Sequence, residues 1–127
     1  MSWQAYVDDQ LIGTGQIAKA AILGGSDGST WAIKPADFLK PGEGPALVAL
    51  FKSPADVFSK GITIGGVKYM GIKGDPRSIY GKKGATGIVC VKTNQSIVVG
   101  YYNEMQQPGN AANVVEKLGD YLIDNSY

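Results

Sequence analysis

Apolar and polar positions divide the chain into a helical segment at each end and a β-rich middle. Trp3, Tyr6, Val7 and Leu11 recur at helical spacing behind Ser2, a residue type that caps helix N-termini, and Gly13 and Gly15 end the run. Residues 18–23 and 30–33 predict two short strands, joined by the turn formers Gly24-Gly25-Ser26-Asp27-Gly28-Ser29. Residues 35–45 are broken up by Pro and Gly and predict short helical turns. Residues 46–51 are apolar, and Ser53-Pro54-Ala55-Asp56 reads as a helix start with proline at its first position. Five β-rich runs follow, 62–64, 67–72, 78–80, 87–92 and 97–102. They are separated by Gly65-Gly66, Gly74-Asp75-Pro76, residues 81–84 and Asn94-Gln95, the spacing of an antiparallel meander. After Pro108-Gly109-Asn110, a second helix is predicted with Val114, Val115, Leu118, Tyr121 and Leu122 on one wide face. Glu116, Lys117, Asp120 and Asp124 lie elsewhere on it. Val7, Leu11, Val114, Leu118 and Leu122 are the expected core of the two helices. The pattern is that of an α+β domain whose helices cover a sheet, not of repeated βαβ units.

Composition narrows the chemistry. The chain has 127 residues, the size of one domain (1–127), with 44% hydrophobic and 18% charged residues. It has no histidine and a single cysteine, Cys90. That rules out Ser-His-Asp or Cys-His nucleophile pairs, histidine metal ligands, a four-thiolate zinc site and an internal disulfide. No catalytic residue, metal site or cofactor is therefore expected. The 18 glycines, about twice the usual ~7%, lie between apolar runs and point to tight turns. No apolar run approaches the roughly 20 residues of a membrane span, and the N-terminus has no signal-peptide pattern. Together with the lone cysteine this predicts a cytoplasmic protein, in which Asn94-Gln95-Ser96 is a turn rather than a glycosylation site.

The net charge of +1 conceals an uneven distribution. Residues 1–59 sum to −2 and residues 93–127 to −3, whereas residues 60–92 carry Lys60, Lys68, Lys73, Arg77, Lys82, Lys83 and Lys92 against Asp75 alone, a sum of +6. The meander thus predicts one basic face, either a solvated surface or a dock for an acidic protein or anionic lipid headgroups. Nucleic acid is disfavoured, because the only aromatics in that segment are Tyr69 and Tyr80.

Short motifs add little. Gly13-Thr14-Gly15-Gln16-Ile17-Ala18 fits a dinucleotide-binding pattern, but a helix precedes it and a strand follows, the reverse of what phosphate binding requires. The region of Tyr80-Gly81-Lys82-Lys83 fails the P-loop pattern, and Asp8-Asp9 reads as a solvated pair on a helix. The aromatics say more. Trp3 and Tyr6 on the first helix, Tyr121 and Tyr127 at the other end and Trp31 on the first hairpin can converge if the termini lie together. Such a cluster suits a polyproline II ligand, whose rings stack on flat aromatic walls and whose carbonyls accept from indole N–H and phenol O–H groups.

These segments resemble the profilin family. The resemblance rests on Ser2-Trp3-Gln4-Ala5-Tyr6-Val7-Asp8, Ala20-Ala21-Ile22-Leu23-Gly24 with Trp31-Ala32, residues 61–69, and Arg77-Ser78-Ile79-Tyr80-Gly81-Lys82-Lys83-Gly84. Tyr102-Asn103-Glu104 with Gln107-Pro108-Gly109, and Gly119-Asp120-Tyr121-Leu122, extend it in order over essentially the whole chain. The resemblance implies a central antiparallel sheet of about five to seven strands, with N- and C-terminal helices on one face and short helices on the other. It implies a non-enzymatic cytoplasmic protein of the actin cytoskeleton that binds monomeric actin, regulates its polymerisation and promotes exchange of its nucleotide. The implied further partners are proline-rich proteins such as formins, and phosphoinositide headgroups. By position, the proline-rich site is Trp3, Tyr6, Trp31, Tyr121 and Tyr127. Tyr121 replaces a histidine found in some relatives, which keeps the stacking surface and removes a titration. The implied actin face is Lys68, Lys73, Arg77, Lys82, Lys83, Lys92, Gln107, Gly109, Asn113, Glu116 and Lys117. Phosphoinositides are assigned to Lys73, Arg77, Lys82 and Lys83.

A different class of function stands beside this one: a small-ligand or lipid sensor of the PAS type. A sensor would bury its aromatics around a cavity, whereas an adaptor would expose them.

Overall fold

In the computed structural model, which describes residues 2–127, the Ser2 hydroxyl accepts from Ala5 N–H at 3.1 Å and starts the first helix. That helix runs as α1 (Trp3–Ala5), widens over Tyr6–Leu11, where Ile12 N–H reaches back to both Asp8 and Val7 carbonyls, and tightens over Ile12–Thr14. Gly15, in the left-handed region, stops it. Seven strands follow: β1 (Lys19–Gly24), β2 (Thr30–Lys34), β3 (Ile62–Ile64), β4 (Val67–Gly74), β5 (Ser78–Lys83), β6 (Thr86–Lys92) and β7 (Ser96–Tyr102). They form one antiparallel sheet in the order β2-β1-β7-β6-β5-β4-β3. Helices α2 (Glu43–Lys52) and α3 (Val57–Lys60) lie between β2 and β3, and α4 (Pro108–Asp124) closes the chain.

Period-two alternation explains why β1, β6 and β7 are buried along almost their whole length. Ala20, Ile22, Val89, Val91 and Val98 point into a core with Val7, Leu11, Val115, Leu118 and Leu122 of the terminal helices. Their neighbours Ala21, Leu23, Ile88, Cys90, Ile97 and Val99 point into a second core with Leu47, Val48, Phe51 and Val57 of α2 and α3. The expected layering, terminal helices on one face and short helices on the other, is what the sheet displays. Val114, expected in the core, is only half-buried, and the position facing inward is Val115.

Three expectations are revised. Residues 46–51 belong to a ten-residue helix that begins at Glu43 and contains Pro45. Proline is tolerated there because first-turn N–H groups have no intrahelical partner. The turn at Ser53-Pro54-Ala55-Asp56 is a 3-10 turn leading into α3, and the Ser53 side chain makes no cap bond. Gly81 does not end β5. It pairs with Gly71 and Ile88, and the strand continues to Lys83.

Glu43 fixes how α2 meets the sheet. Its buried carboxylate accepts from the backbone N–H groups of Lys40 (2.8 Å), Gly65 (2.6 Å) and Gly66 (2.8 Å). Gly65 and Gly66, both at positive φ, form the two-residue turn of the β3–β4 hairpin, the glycine pair such turns favour. At the opposite edge of the sheet, the Gln4 side-chain amide donates to the Ile33 carbonyl (3.1 Å) and accepts from Ile33 N–H (3.3 Å) on β2.

Candidate functional site

Trp31 owes its position to an irregularity in the first hairpin. Thr30 pairs with Leu23 and Ala32 with Ile22, which leaves Trp31 as the extra residue of a β-bulge. A bulge re-aims a side chain, and this one brings the indole of Trp31 to 5.0 Å, centroid to centroid, from that of Trp3. Trp3 is the hub of the cluster. Tyr6 lies 5.7 Å from it and Tyr127 lies 5.6 Å away, edge-on, while Tyr121 reaches the group through Tyr6 at 6.2 Å. All five aromatics singled out in the sequence form one contiguous surface. Trp31, Tyr121 and Tyr127 are 38%, 51% and 43% exposed, so their rings face solvent rather than an internal cavity. Tyr6 differs: it is only 7% exposed and is as much core as wall. Burial, then contact with Tyr121, raises its phenol pKa.

Tyr127 is held firmly. Ser126 adopts a left-handed conformation, Ser126 N–H donates to the Ile123 carbonyl at 3.0 Å, and Tyr127 N–H donates to the Leu122 carbonyl at 2.8 Å. This is the paired bonding of a Schellman motif, with serine where glycine is usual. Beyond Tyr6 and Tyr121 the aromatic surface continues into a groove of about 380 Å³ between the terminal helices, lined also by Gln10, Thr14, Val114, Lys117 and Leu118.

The basic segment does not form a single face. Lys73 pairs with Tyr80, and Lys82 with Met70, on the side of the sheet that carries the terminal helices. Lys68 joins them by alternation along β4. Lys83 follows Lys82 on β5 and points the other way. Lys92 pairs with Ile97, which belongs to the core under α2, and lies near Phe51 and Lys52. Two exposed apolar residues lie among the three co-facial lysines: Met70, 66% exposed, and Ile72, unpaired at a bulge in β4. Sequence reasoning missed both because each sits in a run that reads as ordinary strand. Their signal was the two-residue alternation, which places Met70 opposite buried Tyr69.

Arg77 and Glu116, both candidate contacts, are committed to each other and to the fold. Arg77 Nη2 donates to Asp120 Oδ1 at 2.6 Å and lies 3.5 Å from Glu116 Oε1. Partial burial alone would lower the Arg77 pKa, but the hydrogen bond and charge of Asp120, with Glu116, raise it. Glu116 Oε2 accepts from Ser78 Oγ at 2.8 Å and from the Tyr80 hydroxyl in a short bond. Burial, then Glu116, pushes the Tyr80 pKa up. The Lys73 ammonium lies 5.0 Å from the Tyr80 ring, so Lys73, Tyr80, Glu116 and Arg77 form one connected path from β4 to α4. Gln107 has a structural task as well, its side chain accepting from Asn110 N–H at 2.8 Å to cap α4. Gly109, Asn113 and Lys117 are exposed near or along α4. Among the described residues no group of His, Cys, Asp and Glu is arranged to hold a metal ion, and no helix is long and apolar enough to cross a membrane.

A seven-stranded antiparallel sheet between terminal helices and short helices, with a Trp–Tyr surface where the termini meet, can be set beside known proteins. The profilin family model matches residues 1–127. The chain belongs to the profilin family. It is 68% identical to Profilin-P of Physarum polycephalum over 127 residues, covering 100% of both chains. Its fold matches the crystal structure of Acanthamoeba castellanii profilin II with a TM-score of 0.94 at 49% identity, covering 99% of this chain and 100% of that one. It also matches mouse profilin IIa, solved in complex with a double repeat from the FH1 domain of mDia1, with a TM-score of 0.79 at 22% identity and 100% coverage of both. That last likeness is one of fold. The N-terminal helix, β1–β2 hairpin and α4 that frame the aromatic surface therefore belong to the profilin architecture.

Proposed function

We propose that the protein binds proline-rich segments of partner proteins on the Trp3-centred surface. The observation that carries this reading is the convergence of Trp3, Tyr6, Trp31, Tyr121 and Tyr127 from three separate parts of the chain into one contiguous set of rings, of which Trp31, Tyr121 and Tyr127 face solvent. Flat aromatic walls suit a polyproline II helix, which is already extended and loses little entropy on docking. The complex of mouse profilin IIa with an FH1 repeat supports a ligand of this class.

On the same reading, the protein binds monomeric actin and regulates its polymerisation in the cytoplasm. Met70 and Ile72 supply an apolar centre, and Lys68, Lys73 and Lys82 a cationic surround, the arrangement of a docking patch for an acidic protein surface. α4 would contribute Gly109, Asn113 and Lys117. Faster nucleotide exchange would follow if this surface favours an open form of actin, which requires no catalytic group here. Phosphoinositide headgroups compete for Lys73 and Lys82, while Lys83 lies on the opposite face and Arg77 is already paired.

The test is retention on poly-L-proline resin, followed by an actin-sequestration assay on the eluted protein. Failure to bind the resin removes the proline-rich reading, and failure to sequester actin removes the second.

A further inference from the structure

The turn between β6 and β7 lies at the back of the aromatic surface and touches both of its flanks. Gln95 donates its N–H to the Tyr127 backbone oxygen, and its carbonyl accepts from Gly25 N–H at 2.8 Å, at the start of the loop leading to Trp31. Beside it, Thr93 and Ser96 are buried. Their oxygens are 2.6 Å apart, Ser96 N–H donates to Thr93 Oγ1 at 3.0 Å, and Thr93 Oγ1 lies 3.0 Å from the Tyr127 backbone oxygen. A hydroxyl has one proton and two acceptor sites. If Thr93 Oγ1 accepts from Ser96 N–H and from the Ser96 hydroxyl, its own proton goes to the Tyr127 oxygen at 3.0 Å in preference to the Ser96 carbonyl. That carbonyl lies farther away at 3.3 Å and already accepts from Thr93 N–H. Both buried hydroxyls are then satisfied. We propose that Thr93 is a positioning residue of the proline-rich site: by holding the Tyr127 backbone it seats the Tyr127 ring against Trp3. The inference rests on the proline-rich reading above and adds a residue that never touches the ligand.

The experiment titrates a ten-residue poly-L-proline into the protein and its variants by tryptophan fluorescence, alongside nuclear Overhauser signals between the Trp3 and Tyr127 rings. Thr93→Val removes the donor and is expected to weaken binding about fivefold, the value of one lost hydrogen bond, and to weaken the Overhauser signal between the two rings. Thr93→Ser keeps the hydroxyl and is expected to match the parent in both. In a Tyr127→Ala background, Thr93→Val is expected to add no further loss, because the two residues act through one ring. Parent-like affinity in folded Thr93→Val, or the same loss in the Tyr127→Ala background, overturns the proposal. If Thr93→Val does not fold, Thr93→Cys, close in size to serine and a far weaker donor, takes its place with the same expectations. If the parent binds no poly-L-proline, the proline-rich reading falls. The Overhauser signal then decides the positioning role, which stands if the signal persists in Thr93→Ser and weakens in Thr93→Val, and falls otherwise.

Discussion

Trp3 and Trp31 meet at 5.0 Å, their rings tilted by 48°, although they come from a helix and from an edge strand, because a bulge turns Trp31 toward the helix. Trp3 also touches Tyr6 and Tyr127, so it is the ring on which the other walls converge. Trp3→Ala is expected to weaken poly-L-proline binding at least thirtyfold, as for a truncated central tryptophan at an interface. Actin affinity should stay within about twofold, because the lysine surface lies on other elements. Joint loss of both activities in a folded variant would show that the two surfaces are not separate.

Lys82 and Lys83 test whether that second surface follows the pleat of the sheet. Lys82→Glu places a negative charge among Lys68 and Lys73 and is expected to weaken actin binding about fivefold, with affinity falling as salt is added. Lys83→Glu, on the opposite face, should change it less than twofold. Equal effects from the two reversals, measured by sedimentation or fluorescence titration, would mean that general charge rather than position attracts the partner.

Glu43 accepts from three backbone N–H groups: those of Gly65 and Gly66, which join α2 to the β3–β4 turn, and that of Lys40, just ahead of α2. In Glu43→Gln one oxygen becomes an NH₂ that faces donors. The expected cost is about 2 kcal/mol, a fall in Tm of roughly 5–10 °C by calorimetry. Proline binding at lower temperature should be unchanged, because Glu43 lies under the other face of the sheet.

The pH dependence should be flat near neutrality and steep in alkali. With no histidine, no side chain of ordinary pKa titrates between pH 6 and 8, so poly-L-proline affinity is expected to hold constant there. Burial raises the Cys90 thiol from 9.0 to about 12 and the Tyr69 phenol from 10.0 to about 12. Above pH 9 the unfolded chain therefore loses protons that the folded chain keeps, and stability falls as pH rises toward 12. Urea unfolding at pH 7, 9 and 10.5 checks this. Stability that increases over that series would contradict the burial of both groups. Cys90 should also resist thiol reagents at pH 8 until the protein unfolds.

The parts of this fold legible in the sequence were those written as periodicity. The stripe from Val115 to Leu122, the strand runs around Ile88 and Val98 and the glycine turns all report local geometry. The aromatic set was legible through family likeness, and its convergence depended on the termini meeting. What stayed hidden were consequences of pairing. Helix α2 was masked by Gly42, Gly44 and Pro45, which signal a break but here occupy an N-cap and first turn. The bulge at Trp31 appears only once β1 and β2 are in register. The seven basic residues of 60–92 read as one face because a charge count ignores which side of a strand each occupies. Arg77 and Glu116 looked free to meet a partner, and only the packing of α4 across β6 and β7, which brings Glu116 and Asp120 to Arg77, shows them already engaged.

The contact between Gln4 and Ile33 bears on self-association. β2 is an outer strand, and its unpaired backbone would be a template for another chain. The Gln4 amide occupies the N–H and carbonyl of Ile33 as a neighbouring strand would, and the bulge at Trp31 breaks the pairing line beside it. At the opposite end, β3 has only three residues to offer. The helix that presents Trp3 thus also guards an open edge, so the segment proposed to meet proline-rich partners doubles as protection against aggregation.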